Sequence, residues 1–421
     1  MKKLLSEELL LGIFVVFISG VILCVGSLKS NKSTKHSSQQ HSKKGIMTSK
    51  LNIEDLRAMY SHTDSSKWEV AHIDESVVED FAFTLGLLES TKSLSELDSK
   101  MREEIKAQVL AHLEIKPLPL IPPYPSENPF SEDKRALGEK LFNDPRLSLS
   151  NQIACASCHD KELGFADNKS VSYGHNRAQG KRNSPSVVMG AFGTHKFWDG
   201  RASSLESQSL FPIADPKEMA FSADKAARKL NKIKEYKDEF KKAFGTKTIT
   251  KELIAQAIAT YERSLMPSQN RFDRFLLGNA KVLNDEEVLG LHLFRTKARC
   301  MNCHNGVAFS DDRFHNLGLH YYGREKYEDL GRYEVTKNPS DVGKFKTPSL
   351  RWVSKTAPYM HNGLFPHLRG TINAYNAGMA NPSPNEEIAY NPPFPASDEL
   401  LQKLDLTQEE IVALEAFLKA L

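Results

Sequence analysis

Cys155-Ala156-Ser157-Cys158-His159 and Cys300-Met301-Asn302-Cys303-His304 are two complete C-x-x-C-H motifs in one chain. The spacing holds two thiols about one turn apart, and the next residue offers an imidazole to a metal. This is the attachment signature of a c-type haem: the thiols add across the vinyl groups, and His159 or His304 reaches the iron from one face. Four of the five cysteines are accounted for in this way. Zinc is the competing reading. Zinc knuckles pair about 15–20 residues apart, whereas these motifs lie 145 residues apart and each runs directly into His. Two covalent haems restrict the chemistry to redox work.

The elements that must hold these groups come from a chain of 421 residues, room for two domains plus extensions. A hydrophobic content of 40% reads as soluble and globular, and a net charge of +3 is too small to imply a nucleic-acid partner. Met1-Lys2-Lys3 precedes an uncharged run from Leu9 to Leu28, long enough to span a bilayer. No A-x-A site follows it, and Cys24 after Leu23 makes a poor lipoprotein site, so residues 1–28 read as an uncleaved membrane anchor in preference to a signal peptide. Cys24 is then a small apolar residue of that span. Residues 29–50, rich in Ser, Lys, Gln and His, form a flexible linker. Either leader exports the body, which agrees with haem attachment outside the cytoplasm and implies a periplasmic protein held at the inner membrane.

Residues 51–119 form an N-terminal extension with helical spacing at Val77, Val78, Phe81, Leu85 and Leu88. The stretch Lys116 to Pro129 carries six prolines and is expected to run as an extended arm, not a helix. Beyond it the chain repeats itself. Leu137-Gly138-Glu139-Lys140-Leu141-Phe142 precedes the first motif, and Leu289-Gly290-Leu291-His292-Leu293-Phe294 precedes the second. Each predicts an amphipathic helix whose glycine permits close approach to another helix, and Asn284 with Glu287 signals the start of the second. Asn183-Ser184-Pro185-Ser186-Val187 leads to Phe197-Trp198-Asp199-Gly200, and Lys346-Thr347-Pro348-Ser349-Leu350 leads to Met360-His361-Asn362-Gly363. Proline and glycine are 15 residues apart in both. Strand signals are few. The expected fold is therefore mainly α: two duplicated cytochrome c-like domains, 120–280 and 281–421, each around one covalent haem, with the boundary near residues 270–283.

Three strings follow the first motif: Y-G-H, K-R-N-S-P-S-V and F-W-D-G-R. The second is followed by F-K-T-P-S-L-R and T-A-P-Y-M-H-N-G. In this order, over roughly residues 120–421, the chain closely resembles the bacterial dihaem cytochrome c peroxidases and their relative MauG. The resemblance implies a peroxidatic haem in the first domain and an electron-transfer haem in the second.

It also implies roles for particular residues. His175 matches the histidine that caps the resting peroxidatic haem in the peroxidases and is lacking in MauG; by itself it would read as an exposed loop histidine. The peroxidases' axial Met falls on Tyr375, where MauG has Tyr. Met379, one helical turn on, is the alternative ligand, and Met360 is a weaker one. Glu218 matches the acid–base carboxylate and Gln208 the nearby amide. Trp198 matches the tryptophan between the haems, and His361 is its counterpart in the second repeat. Asn183 through its side-chain oxygen, with Thr356 and Pro358 through their carbonyls, matches a calcium site. Taken singly, Glu218 and Gln208 would be ordinary solvated side chains and Trp198 and Tyr375 ordinary packing rings; registration with the motif carries the assignment.

The implied function is reduction of hydrogen peroxide with electrons from a small cytochrome c or cupredoxin, in an enzyme of a family that commonly forms homodimers. Two alternatives stand beside it: a MauG-like peroxide-dependent oxidase that modifies a partner protein, and a non-enzymatic dihaem electron carrier or redox sensor.

Overall fold

The computed structural model describes residues 52–89, 91–267 and 269–421. The expected anchor and linker, with Cys24, lie outside the described residues. Among the described residues no helix is long and apolar enough to cross a membrane.

The extension contributes α1 (Ile53–Tyr60), α2 (Glu75–Thr84) and α3 (Ser99–Leu113). Asn52 and Asp98 cap the first and third by accepting backbone N–H groups, each worth about 1 kcal/mol. Val77, Phe81, Ile105, Val109 and Leu113 close a small core between α2 and α3, while Leu56 and Tyr60 of α1 join the core of the C-terminal half. The proline-rich arm then runs without helix, as its composition requires. It is pinned by a fully buried ion pair: Arg351 Nη1 donates to Asp273 Oδ1 (2.9 Å), which also accepts from Leu118 N (3.0 Å).

The N-terminal half of the body holds α4 (Glu132–Phe142), α5 (Leu205–Ala214), α6 (Ala223–Leu230), α7 (Lys234–Phe244) and α8 (Lys251–Ser264). The C-terminal half holds α9 (Arg271–Leu276), α10 (Asp285–Arg295), α11 (Tyr333–Thr336), α12 (Leu368–Asn376) and α13 (Gln408–Ala420). Among the described residues sheet is confined to Phe314–His315 paired antiparallel with Phe345–Lys346, with Phe314 opposite Lys346. Asn284 and Glu287 form the expected capping box of α10: Asn284 Oδ1 accepts Glu287 N at 2.9 Å, and Glu287 Oε2 accepts Asn284 N at 2.8 Å.

α4 packs on α8, and α10 on α13, at the glycines marked in the sequence. A Cβ on Gly138 would lie 2.0 Å from Ala257 O, and one on Gly290 2.0 Å from Ala413 O. Only a hydrogen fits at either crossing. Around the first pair Leu137, Phe142, Tyr236, Phe240 and Ile258 form one core; around the second Phe272, Phe294, Phe309 and Phe417 form another. Phe272, Phe275 and Leu276 of α9 already pack in the second core, so the cores part between Tyr261 and Phe272.

Local geometry repeats with the sequence. Counting from Pro185 and Pro348, positive φ recurs at the fourth, twelfth and fifteenth residues: Met189, Phe197 and Gly200 in one case, Trp352, Met360 and Gly363 in the other. Isolated bridges Lys196–Ala202 and Tyr359–Phe365 are in register. α5 and α12 both begin 20 residues after the proline. Ser186 Oγ donates to Gly164 O and Ser349 Oγ to Ala308 O, both at 2.6 Å.

Candidate active site

Each C-x-x-C segment closes into a single 3₁₀ turn, Cys155–Ser157 and Cys300–Asn302. His159 N and His304 N then donate to the carbonyls of Cys155 (3.0 Å) and Cys300 (2.8 Å). The turn sets both thiols and the imidazole against one space. His159 Nδ1 lies 3.0 Å from Phe165 O, and His304 Nδ1 lies 2.9 Å from Phe309 O. A backbone carbonyl accepts only from N–H, so Nδ1 carries the proton and Nε2 keeps its lone pair for a metal. Phe165 and Phe309 both have positive φ, which turns their carbonyls towards the rings.

Both motifs open onto one cavity of about 930 Å³, lined by Cys155, Cys158, His159, Cys300, Cys303 and His304. Burial raises all four thiols above their ordinary range, Cys300 to about 12. Among the described residues the one metal-sized grouping is Cys303 with Asp311 and His315. His315 is spent there: Nε2 faces Asp311 at 2.8 Å and Nδ1 faces Asp398 at 2.6 Å. Burial opposes its charge, but the two carboxylates push it up to about 12, so both ring nitrogens carry protons and neither can ligate. The two turns, each with a thiol pair and an imidazole whose Nε2 is free, fit two c-type haems.

On the first side, Glu218 and Gln208 line the cavity. Burial, with Asp215 adding to it, raises the Glu218 carboxyl against the pull of Arg201. Gln208 Oε1 is buried without a hydrogen-bond partner. Glu218 O accepts from His175 N at 2.8 Å, and Gly174 packs on the same backbone. The His175 loop is thus stacked on the Glu218 turn, but its side chain is not part of the cavity wall. His175 Nδ1 is a second buried atom without a partner.

On the second side, Tyr375 lines the cavity within electrostatic reach of Cys303 and Cys300, and burial holds its phenol well above the usual range. Met360 also lines the cavity; Met379, at positive φ just past α12, does not. α5 and α12 can be compared position by position from their first residues. Where α12 places Tyr375, α5 places Pro212, and both line the cavity. One wall presents an oxygen donor and the other a ring with none.

Trp198 lies between the halves. Its Nε1 donates to Asn183 O (2.9 Å), its carbonyl accepts from Lys346 N (2.8 Å), and its ring meets His361 edge-on at 6.4 Å between centroids. His361 stacks on Phe345, and burial drives its pKa down to about 3, so it is neutral. Asn183, Thr356 and Pro358 share the cavity wall; Asn183 N donates to His361 O (2.7 Å) and its Nδ2 to Lys169 O (2.9 Å).

Sequence reasoning passed over Glu262. It is 3% exposed, lines the cavity, and its Oε2 has no hydrogen-bond partner. A Glu followed by Arg reads as a solvated helix face. The available signal was its place on the apolar stripe Ile254, Ala255 and Ile258 of α8.

Residues 132–281 match the family model described as di-haem cytochrome c peroxidase. The cytochrome-c peroxidase IdrP1 of Pseudomonas sp. (strain SCT) is 36% identical over 341 residues, 74% of this chain and 86% of that protein. The methylamine utilization protein MauG of Methylorubrum extorquens is 37% identical over 281 residues, 66% of this chain and 77% of that one. Among solved structures, a MauG-like protein associated with microbial copper homeostasis superposes with a TM-score of 0.65 at 32% identity, covering 72% of this chain and 94% of that one. The diheme peroxidase BthA of Burkholderia thailandensis shares the fold, with a TM-score of 0.58 at 23% identity over 70% of this chain and 86% of that one.

Proposed function

This chain belongs to the di-haem cytochrome c peroxidase family, and we propose that it reduces hydrogen peroxide to water with electrons from a small cytochrome c or copper protein in the periplasm. The observation that carries the reading is a single cavity joining both C-x-x-C-H turns to Glu218 and Gln208. When bound, two c-type haems, held by Cys155, Cys158 and His159 and by Cys300, Cys303 and His304, supply the redox chemistry. We take the copies by their sequence repeat as residues 120–280 and 281–421, with α9 of the first packing into the core of the second, after an extension at 51–119 and a leader anchored in the inner membrane.

Peroxide reduction consumes two electrons and two protons and breaks one O–O bond. Glu218 is the acid–base group. Burial makes its carboxyl hold a proton more readily than an exposed glutamate does, and the free Oε1 of Gln208 accepts a hydrogen bond from peroxide or water and orients it. Pro212 leaves the first side without an oxygen donor where Tyr375 supplies one on the second. This difference supports an oxidant-binding first site and a capped second one, with Tyr375 rather than Met379 as the cap. His175 is the mobile ligand of the first side; its unpaired Nδ1 and its stacking on the Glu218 turn support that assignment. Trp198 relays electrons between the halves. Asn183 Oδ1 with the carbonyls of Thr356 and Pro358 holds calcium, and the enzyme works as a homodimer.

The test is turnover by the haem-loaded protein with reduced cytochrome c, after reductive activation. Peroxide consumption is expected, with a loss of about 10²–10⁴-fold in Glu218→Gln. No consumption by the wild type overturns the reading and favours an electron carrier. Tyr375 favours a second reading, a peroxide-dependent oxidase of a partner protein. That reading expects a long-lived spectral change when peroxide meets the oxidised protein; rapid bleaching counts against it.

A further inference from the structure

Glu262 has no partner within the protein to justify its burial. It sits in the last turn of α8, and the cations beside it are committed elsewhere. Arg263 makes a two-pronged pair with Glu206 (2.6 and 2.8 Å). Lys196 Nζ donates to the carbonyls of Gly190 (2.8 Å), Phe192 (3.2 Å) and Gly193 (2.7 Å). A buried polar atom without a partner costs about 1–3 kcal/mol, and a native protein keeps one where a cavity group or a function needs it.

The internal duplication supplies a control. Gly138 meets Ala257 O and the Tyr261 Cβ; Gly290 meets Ala413 O and the Phe417 Cβ. Ala257 therefore corresponds to Ala413 and Tyr261 to Phe417, which places Glu262 opposite Leu418. Leu418 also lines the cavity. The same wall position is apolar beside the second motif and carboxylic beside the first, where the thiol of Cys155 lies within electrostatic reach of both Glu262 and Glu218.

We propose that Glu262 is a second proton-carrying carboxyl of the first-motif cavity and supplies one of the two protons consumed when peroxide is reduced. This rests on the peroxidase reading. The balance is one peroxide, two electrons from the small redox protein and two protons, giving two waters: the O–O bond breaks and two O–H bonds form. Glu218 handles one proton and Glu262 the other, and Glu262 is reprotonated from solvent between turnovers. Burial, with a smaller push from Glu206, raises the Glu262 carboxyl to about 8 against Arg263 and Lys196, so it holds its proton at neutral pH. Lys196, within electrostatic reach of Glu262, is itself lowered to about 8 by burial and titrates in the same range.

The haem-loaded full chain provides the test, with Glu262→Gln, Glu262→Asp and Lys196→Met compared with wild type. Glu262 is already uncharged at pH 7, so the Gln variant is an uncharged isostere, and mass analysis checks that it carries both haems. Expected are a fall of about 10²-fold in turnover at pH 7 for Glu262→Gln, partial rescue in Glu262→Asp, and loss of the wild-type alkaline limb near pH 8 in Glu262→Gln but not in Lys196→Met. Independently of activity, the infrared difference spectrum between pH 7 and pH 9 shows a protonated-carboxyl band that Glu262→Gln lacks. An unchanged turnover and pH profile in Glu262→Gln, or no such band in wild type, overturns the proposal. A wild type that consumes no peroxide while showing the band sinks the peroxidase reading, and this role falls with it.

Discussion

Single residues separate the two sides of the cavity. The helices α5 and α12 start at the same distance from their repeat markers, yet one carries Pro212 where the other carries Tyr375. Proline offers no donor atom and fixes the wall. Tyrosine offers a phenol oxygen that burial keeps protonated until a cation compensates, and a ferric centre is a cation of that kind. Replacing the phenol by a thioether tests this asymmetry. In Tyr375→Met the midpoint potential of the second haem is expected to rise, on the order of 100 mV within the ~0.8 V range that axial ligands span. The first haem is expected to keep its value. Spectroelectrochemical titration of the two centres reads both numbers. Equal shifts at both haems, or none, remove Tyr375 from the second iron.

At the scale of elements, one helix crossing carries each copy, and both crossings depend on the absence of a side chain. Gly290→Ala drives a Cβ into the backbone of α13 at Ala413, where no flexible group can yield. A loss of about 3 kcal/mol is expected, the upper end of ordinary overpacking. Gly370→Ala is the control. It lies within α12 with nothing near its Cβ position, so a gain of about 0.5–1 kcal/mol is expected from helix propensity. Denaturant midpoints of the two variants should move in opposite directions. These crossings were legible in the sequence, because the same Leu-Gly-x-x-Leu-Phe string stands ahead of each C-x-x-C-H motif. Other features were not. Pro212 lies inside α5, and an interior proline reads as a helix breaker. Glu262 looked solvated because its neighbour Arg263 is charged, and the pairing of Arg263 with Glu206 of α5 is a tertiary fact. The double pairing of His315 was likewise hidden, since Asp398, one of its two partners, lies 83 residues away.

Over the whole molecule the two attachment turns face different surroundings. Ser157 in the first turn is exposed, whereas Met301 and Asn302 in the second are 1% and 3% exposed. The cover is the extension. Asp74 N donates to Asn302 Oδ1 (2.8 Å), Gly306 N to Leu113 O (3.0 Å), and His72 N to Arg295 O (2.7 Å). Carboxylates of the extension meet arginines of the body in three pairs, Asp74 with Arg299, Asp80 with Arg313 and Glu114 with Arg295. Composition favours this seam: residues 52–115 hold fourteen Asp and Glu against six Lys and Arg, while the whole chain is +3. Asp74 ties the seam to the second turn most directly, since it also caps the line of contact at Asn302. Asp74→Ala leaves Arg299 without its carboxylate at a position only about a fifth exposed, at a cost of about 1–3 kcal/mol after allowance for that exposure. Because the loss is local, amide exchange is expected to accelerate at residues 300–306 and along α2, while residues 155–159 keep wild-type protection. Uniform acceleration across both turns would mean that the extension supports the whole fold, not the second attachment site in particular.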